Sequence, residues 1–190
     1  MKKYSVFTAA LIAASVSLAF TLSYAQEQPL LVKSRYFSVY GPSGLDKDAL
    51  LSKLSFNHFI HLDSLAGGYA QDLDSLLAQT LDAIYLEISD ILDIHIYSFH
   101  GDIDILPDQD SLASLFSKFF SANFRERSFY LPERNTIYIS YPDLTLGMLG
   151  HEIAHAIMAH YFVVLPPAKV QEILSGYVEY NLRKSTATLP

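Results

Sequence analysis

Between residues 73 and 92, apolar side chains return every three or four positions: Leu73, Leu76, Leu77, Leu81, Ile84, Ile88, Ile91 and Leu92. That period lines one face of a helix, and it predicts a long helix from Tyr69 to about Leu92, after a break at Gly67-Gly68. Asp72, Asp74, Asp82, Glu87 and Asp90 fall mostly outside the stripe and read as a solvated face. No loop with the glycine and closing glutamate of an EF-hand accompanies them, so calcium is not implied. The same period predicts a helix over Ser111–Phe120, with Leu112, Leu115, Phe116 and Phe119 inward. A short helix capped by Asp46 carries Leu50, Leu51 and Leu54.

Period-two stretches predict strands. Leu31–Tyr40 alternates loosely up to the turn Gly41-Pro42-Ser43-Gly44, and His95–Phe99 alternates too. Gly101–Pro107 reads as a turn-rich link, with Asp102, Asp104 and Asp108. Phe129–Leu131 and Thr136–Ser140 flank Pro132-Glu133-Arg134-Asn135, the turn of a hairpin. Near the end, Pro142 and Asp143 open a helix that runs to about Val164, where Pro166-Pro167 stops it. A last helix covers Ala168–Arg183. No repeat or linker interrupts this order, so the pattern predicts a single α+β domain over residues 30–185.

The chemistry lies in the helix before Pro166. His151-Glu152-Ile153-Ala154-His155 sets two imidazoles four residues apart on one helix face, close enough to share a metal ion. Glu152, between them, is not a ligand but can take a proton from a water that the ion activates. Met148, Leu149, Ile153, Ala154, Ala156 and Ile157 surround the pair, so the helix is buried and its polar side chains need partners. Zn2+ is the expected partner. Gly147 and Gly150 leave room for close approach by a neighbouring strand.

The other histidines drop out. His58 and His61 have no third ligand nearby and read as surface or half-buried groups. The metzincin arrangement is excluded because His160 is only five residues beyond His155 and no glycine-spaced third histidine follows; lying about 140° round the helix, His160 cannot join the same ion. The chain has no cysteine, which removes thiolate chemistry and leaves His and carboxylates as ligands.

A catalytic zinc needs a third protein ligand and one open position. The last helix offers Glu172 and Glu179. Here the stretch resembles the gluzincin metallopeptidases of the thermolysin-like superfamily. In these, the His-Glu-x-x-His helix is followed by a second helix that donates a glutamate. Glu172 follows Pro166-Pro167 and precedes Ser175, Gly176 and Tyr177, as in compact bacterial members, whereas Glu179 has Leu182 at the third position after it. The resemblance therefore implies His151, His155 and Glu172 as zinc ligands and Glu152 as general base. It also implies a compact zincin-like fold and a peptide or protein substrate. It points to Thr136–Ser140 as the edge strand that holds extended substrate, and to Tyr177 as an oxyanion donor, although a packed core tyrosine is the plainer reading of that residue. The alternative is a zincin-fold envelope scaffold that has lost turnover.

Composition adds the location. Lys2 and Lys3 precede an uncharged apolar run from Val6 to Leu22, and Ser23-Tyr24-Ala25 supplies small residues at the −3 and −1 positions. Residues 1–25 therefore read as a signal peptide cleaved after Ala25, for a periplasmic or secreted protein without stable membrane insertion. Net charge is −7, and loss of Lys2 and Lys3 leaves 11 basic against 20 acidic side chains. Such a chain has no basic patch for nucleic acid.

Overall fold

A computed structural model describes residues 28–54, 72–120 and 126–185. The predicted signal peptide and the His58/His61 pair lie outside them. The order is β1 (Leu30–Lys33), β2 (Phe37–Tyr40), α1 (Lys47–Leu54), α2 (Leu73–Leu92), β3 (Gly101–Leu106), α3 (Gln109–Phe119), β4 (Ser128–Leu131), a 3-10 turn (Pro132–Arg134), β5 (Thr136–Ser140), α4 (Leu146–Tyr161) and α5 (Ala168–Ser185). The fold class is α+β, as expected. None of the described helices is long and apolar enough to cross a membrane.

The strands form one mixed sheet in the order β1-β2-β3-β5-β4. β1 and β4 pair antiparallel with their neighbours, while β2, β3 and β5 run parallel. The predicted single strand at 31–40 is thus a hairpin, and the carboxylate of Asp82 on α2 accepts from Arg35 N and Tyr36 N at its turn. The predicted strand at His95–Phe99 is instead a loop. The strand is Gly101–Leu106, at the centre of the sheet. Its Asp-Ile-Asp-Ile alternation is a strand signal after all, because the two acids share one face. Ile103 and Ile105 on the other face enter the core at 1% and 2% exposure.

The core lies between that sheet face and helices α2 and α4, with Phe37, Val39, Ile137 and Ile139 meeting Leu81, Ile84, Ile88 and Ile153. On the opposite face α3 packs over β5 and the neighbouring ends of β3 and β4, with Leu112 against Leu131 and Tyr138 and with Leu106 beside them. The remainder of that face carries Asp102 and Asp104.

Burial pushes the Asp104 carboxyl up to about 6, against a hydrogen bond donated by Gln28 Nε2 (2.9 Å) that lowers it. Its proton is thus held more tightly in the folded chain than in the unfolded one, so the contribution of this group to stability is greatest below about pH 4 and is lost as pH rises from about 4 to 6. The loss is on the order of 3 kcal/mol. Asp104→Asn should therefore raise stability at pH 7.5 but not at pH 4. Urea unfolding at both pH values checks this, and an equal effect at the two would refute it.

Helix ends follow side-chain caps. Asp72 accepts from Ser75 N and Asp108 from Ser111 N, setting the starts of α2 and α3. α4 begins at Leu146, later than Pro142, because the Thr145 hydroxyl caps it by accepting from Met148 N. Pro142-Asp143 lies in the turn before it, with Asp143 accepting from Ser140 Oγ. α4 ends at Tyr161, short of Val164: Phe162 is already extended, with φ −86 and ψ 121.

Candidate metal centre

α4 and α5 pack against each other, and glycine sets how closely. A Cβ at Gly150 would lie 2.1 Å from Leu182 Cδ1, and one at Gly147 would lie 2.9 Å from Arg183 Cγ and 3.2 Å from Glu179 Cγ. The neighbour that needs this room is helix α5, not the expected strand. α5 also sends Val178 and Leu182 into the core. Glu172 and Glu179, seven residues apart and so on one side of the helix, are thereby brought to the histidines of α4.

The Nε2 atoms of His151 and His155 are 3.2 Å apart. Glu172 reaches both, with Oε2 at 3.5 Å from His151 Nε2 and Oε1 at 3.5 Å from His155 Nε2. Two ligands each ~2.05 Å from a tetrahedral ion are separated by ~3.3 Å. The two imidazoles and the Glu172 carboxylate thus come close enough to share one ion, with a different carboxylate oxygen facing each ring.

Side chains behind the donors orient them. Glu179 Oε2 lies 3.4 Å from His151 Nδ1, on the far side of the ring from Glu172, and Arg183 pairs with Glu179 at 3.3 Å. Glu179 thus meets the ring nitrogen of His151 that faces away from the His151, His155 and Glu172 group. Gln171 lines the cleft with His155 and donates from Nε2 to Pro166 O (2.7 Å). Burial first, then the neighbouring His151, pushes the His155 imidazole below its ordinary value, against Glu172 and Gln171. A neutral ring is the form that ligates metal.

Glu152 points elsewhere. It is 6% exposed and its Oε1 accepts from Ser128 Oγ at 2.7 Å. Burial raises its carboxyl above the ordinary range, opposed by the bonds from Ser128 and the Tyr130 backbone and by His151. A carboxylate with raised affinity for protons is a stronger base.

All these groups line one cleft of about 910 Å³, with β4 and the residues before it (Glu126–Tyr130) as one wall and α4 and α5 as the other. No family model, curated protein or solved structure matches the chain.

The geometry of the cleft corrects two expectations. Thr136–Ser140 is paired on both sides, by β3 and β4, and cannot receive substrate backbone. The edge strand is β4. Tyr177 is neither in the cleft lining nor packed in the core: it is 54% exposed. His160 is turned from the centre, with Nδ1 at 2.9 Å from Ala156 O and its ring against Phe99. Ser128, Gln171 and the position of Glu179 were missed. Only Glu179 left a signal, its seven-residue spacing from Glu172.

Replacing Glu179 with the isosteric Gln removes the charge behind His151. Zinc affinity should fall roughly 10- to 100-fold, measured by competition with a chromophoric chelator. An unchanged affinity would deny Glu179 this role.

Proposed function

We propose that the protein is a zinc-dependent metallopeptidase, with His151, His155 and Glu172 as the residues that would hold the ion. The reading rests above all on the donor spacings, 3.2, 3.5 and 3.5 Å, beside a buried carboxylate in the same cleft. Zinc, when bound, supplies Lewis-acid polarisation of the scissile carbonyl and lowers the pKa of water.

The chain's own residues do the rest. Glu152 accepts the proton of the attacking water and passes it to the leaving amine. Ser128 holds one carboxylate oxygen, so the other keeps a fixed direction. β4, paired on one side only, offers its outer edge to an extended peptide, which adds as a further strand. Arg127 and Arg183 line the same cleft. The compact α+β domain is read as zincin-like, and its work as peptide hydrolysis outside the cytoplasm. Retention of Glu152 in the cleft lining favours turnover over an inactive scaffold.

Purified protein should contain one zinc per chain by elemental analysis and cleave members of a peptide library. Chelation should abolish cleavage, and added zinc should restore it. Cleavage at full rate by metal-free protein would sink the proposal.

A further inference from the structure

We infer that the exposed face of α5, with the loop before it, is a docking surface for an anionic phospholipid bilayer. α5 has three faces. Ser175, Val178 and Leu182 are buried, and Glu172 and Glu179 meet the histidines. The third face is apolar yet uncovered: Val170, Ile173, Tyr177 and Tyr180 are 41–61% exposed. Their spacing of three, four and three residues confines them to an arc of about 80°. The loop leading into the helix continues the pattern. Val163 and Val164 are 103% and 83% exposed, and residues 161–168 contain no charge.

Charge identifies the occupant. Lys169 and Lys184 stand exposed at the two ends of the stripe, and no acid lies within it. An apolar helix face with tyrosines and flanking lysines suits the interface of a bilayer. Valines enter the acyl boundary, tyrosines sit at headgroup depth and lysines meet anionic phosphates. A second copy docked on this face would bring lysines against a face with no acid to meet them. Leu165 belongs both to this loop and to the cleft lining, so the bound bilayer lies beside the cleft mouth. That consequence, peptide hydrolysis close to a membrane surface, rests on the peptidase reading; the docking itself does not.

The test is flotation of the chain beginning at Gln26, which lacks the Val6–Leu22 run but keeps every described residue. Vesicles are phosphatidylcholine alone or mixed with phosphatidylglycerol. Wild type should float with the mixed vesicles and much less with the neutral ones. Val163→Asp/Val164→Asp should lower the partition coefficient at least about tenfold. Lys169→Gln/Lys184→Gln should lower it by about the same factor and weaken its salt dependence. These side chains are exposed, and circular dichroism verifies the fold. Absence of flotation with mixed vesicles, or equal flotation by the valine variant, overturns the inference. So does a sedimenting dimer that the valine variant abolishes without any vesicle binding. Glu152→Gln should float as wild type does, so docking and hydrolysis stand or fall separately.

Discussion

Glu152→Gln protein is expected to bind zinc as wild type does and to hydrolyse peptides about 10³-fold more slowly. The two halves of this result have separate structural causes. Glu152 is outside the group of donors that approach one another, His151, His155 and Glu172. Glutamine keeps the shape of the side chain, and its amide oxygen still accepts from Ser128 Oγ. Because burial opposes the charge of Glu152, a neutral replacement does not destabilise the helix. What is lost is an atom able to accept a proton. Retained zinc with undiminished cleavage would show that another group is the base. Lost zinc would show that Glu152 is part of the metal centre.

Gly150→Val is expected to destabilise the fold by about 3 kcal/mol and to weaken zinc binding at least about tenfold. The added Cβ would stand 2.1 Å from Leu182 Cδ1, far inside contact distance. Leu182 is 1% exposed and has little room to retreat, so α5 must move away from α4. The helix propensity gained by removing glycine is about 0.5 kcal/mol, too small to compensate. Moving α5 also carries Glu172 and Glu179 from the histidines, which is why one substitution in the helix interface reaches the candidate metal centre. Leu182→Ala alone should cost about 2–5 kcal/mol through the cavity it leaves. Combined with Gly150→Val, the loss should be smaller than the sum by more than about 1 kcal/mol, since the valine fills that space. Urea unfolding and chelator competition on the three variants decide the matter; strict additivity would mean that the two residues do not share this contact.

These two experiments probe parts of the site that differ in how they are encoded. His151, Glu152 and His155 are readable from the chain because a helix alone fixes what a four-residue spacing does. The apolar neighbours establish that the helix is buried. Glu172 was reachable only through the resemblance that chose it over Glu179. The ambiguity was real: both acids are on one side of α5 and both meet His151, one at each ring nitrogen. Which nitrogen each faces depends on the crossing of two helices, and no local pattern records it.

The strands divide in the same way. The β4–β5 hairpin announces itself, since a short turn joins two β-rich runs. That β5 is internal and β4 the edge follows from β3 pairing along β5, a partnership between segments some 30 residues apart. Reading Asp102 and Asp104 as turn residues hid β3 and so misplaced the edge. Ser128 was invisible for a related reason. Nothing near it in sequence needs a hydroxyl; its partner is Glu152, 24 residues on.

The sequence by itself thus determined the α+β class, most of the helix faces, and the His-Glu-x-x-His constellation, because each depends on periodicity within a single element. Tertiary structure alone decided which strand is the edge, which glutamate approaches both imidazoles, and what stands behind each ring. Those depend on how closely two elements approach, and here the approach is set by the missing side chains of Gly147 and Gly150 against α5.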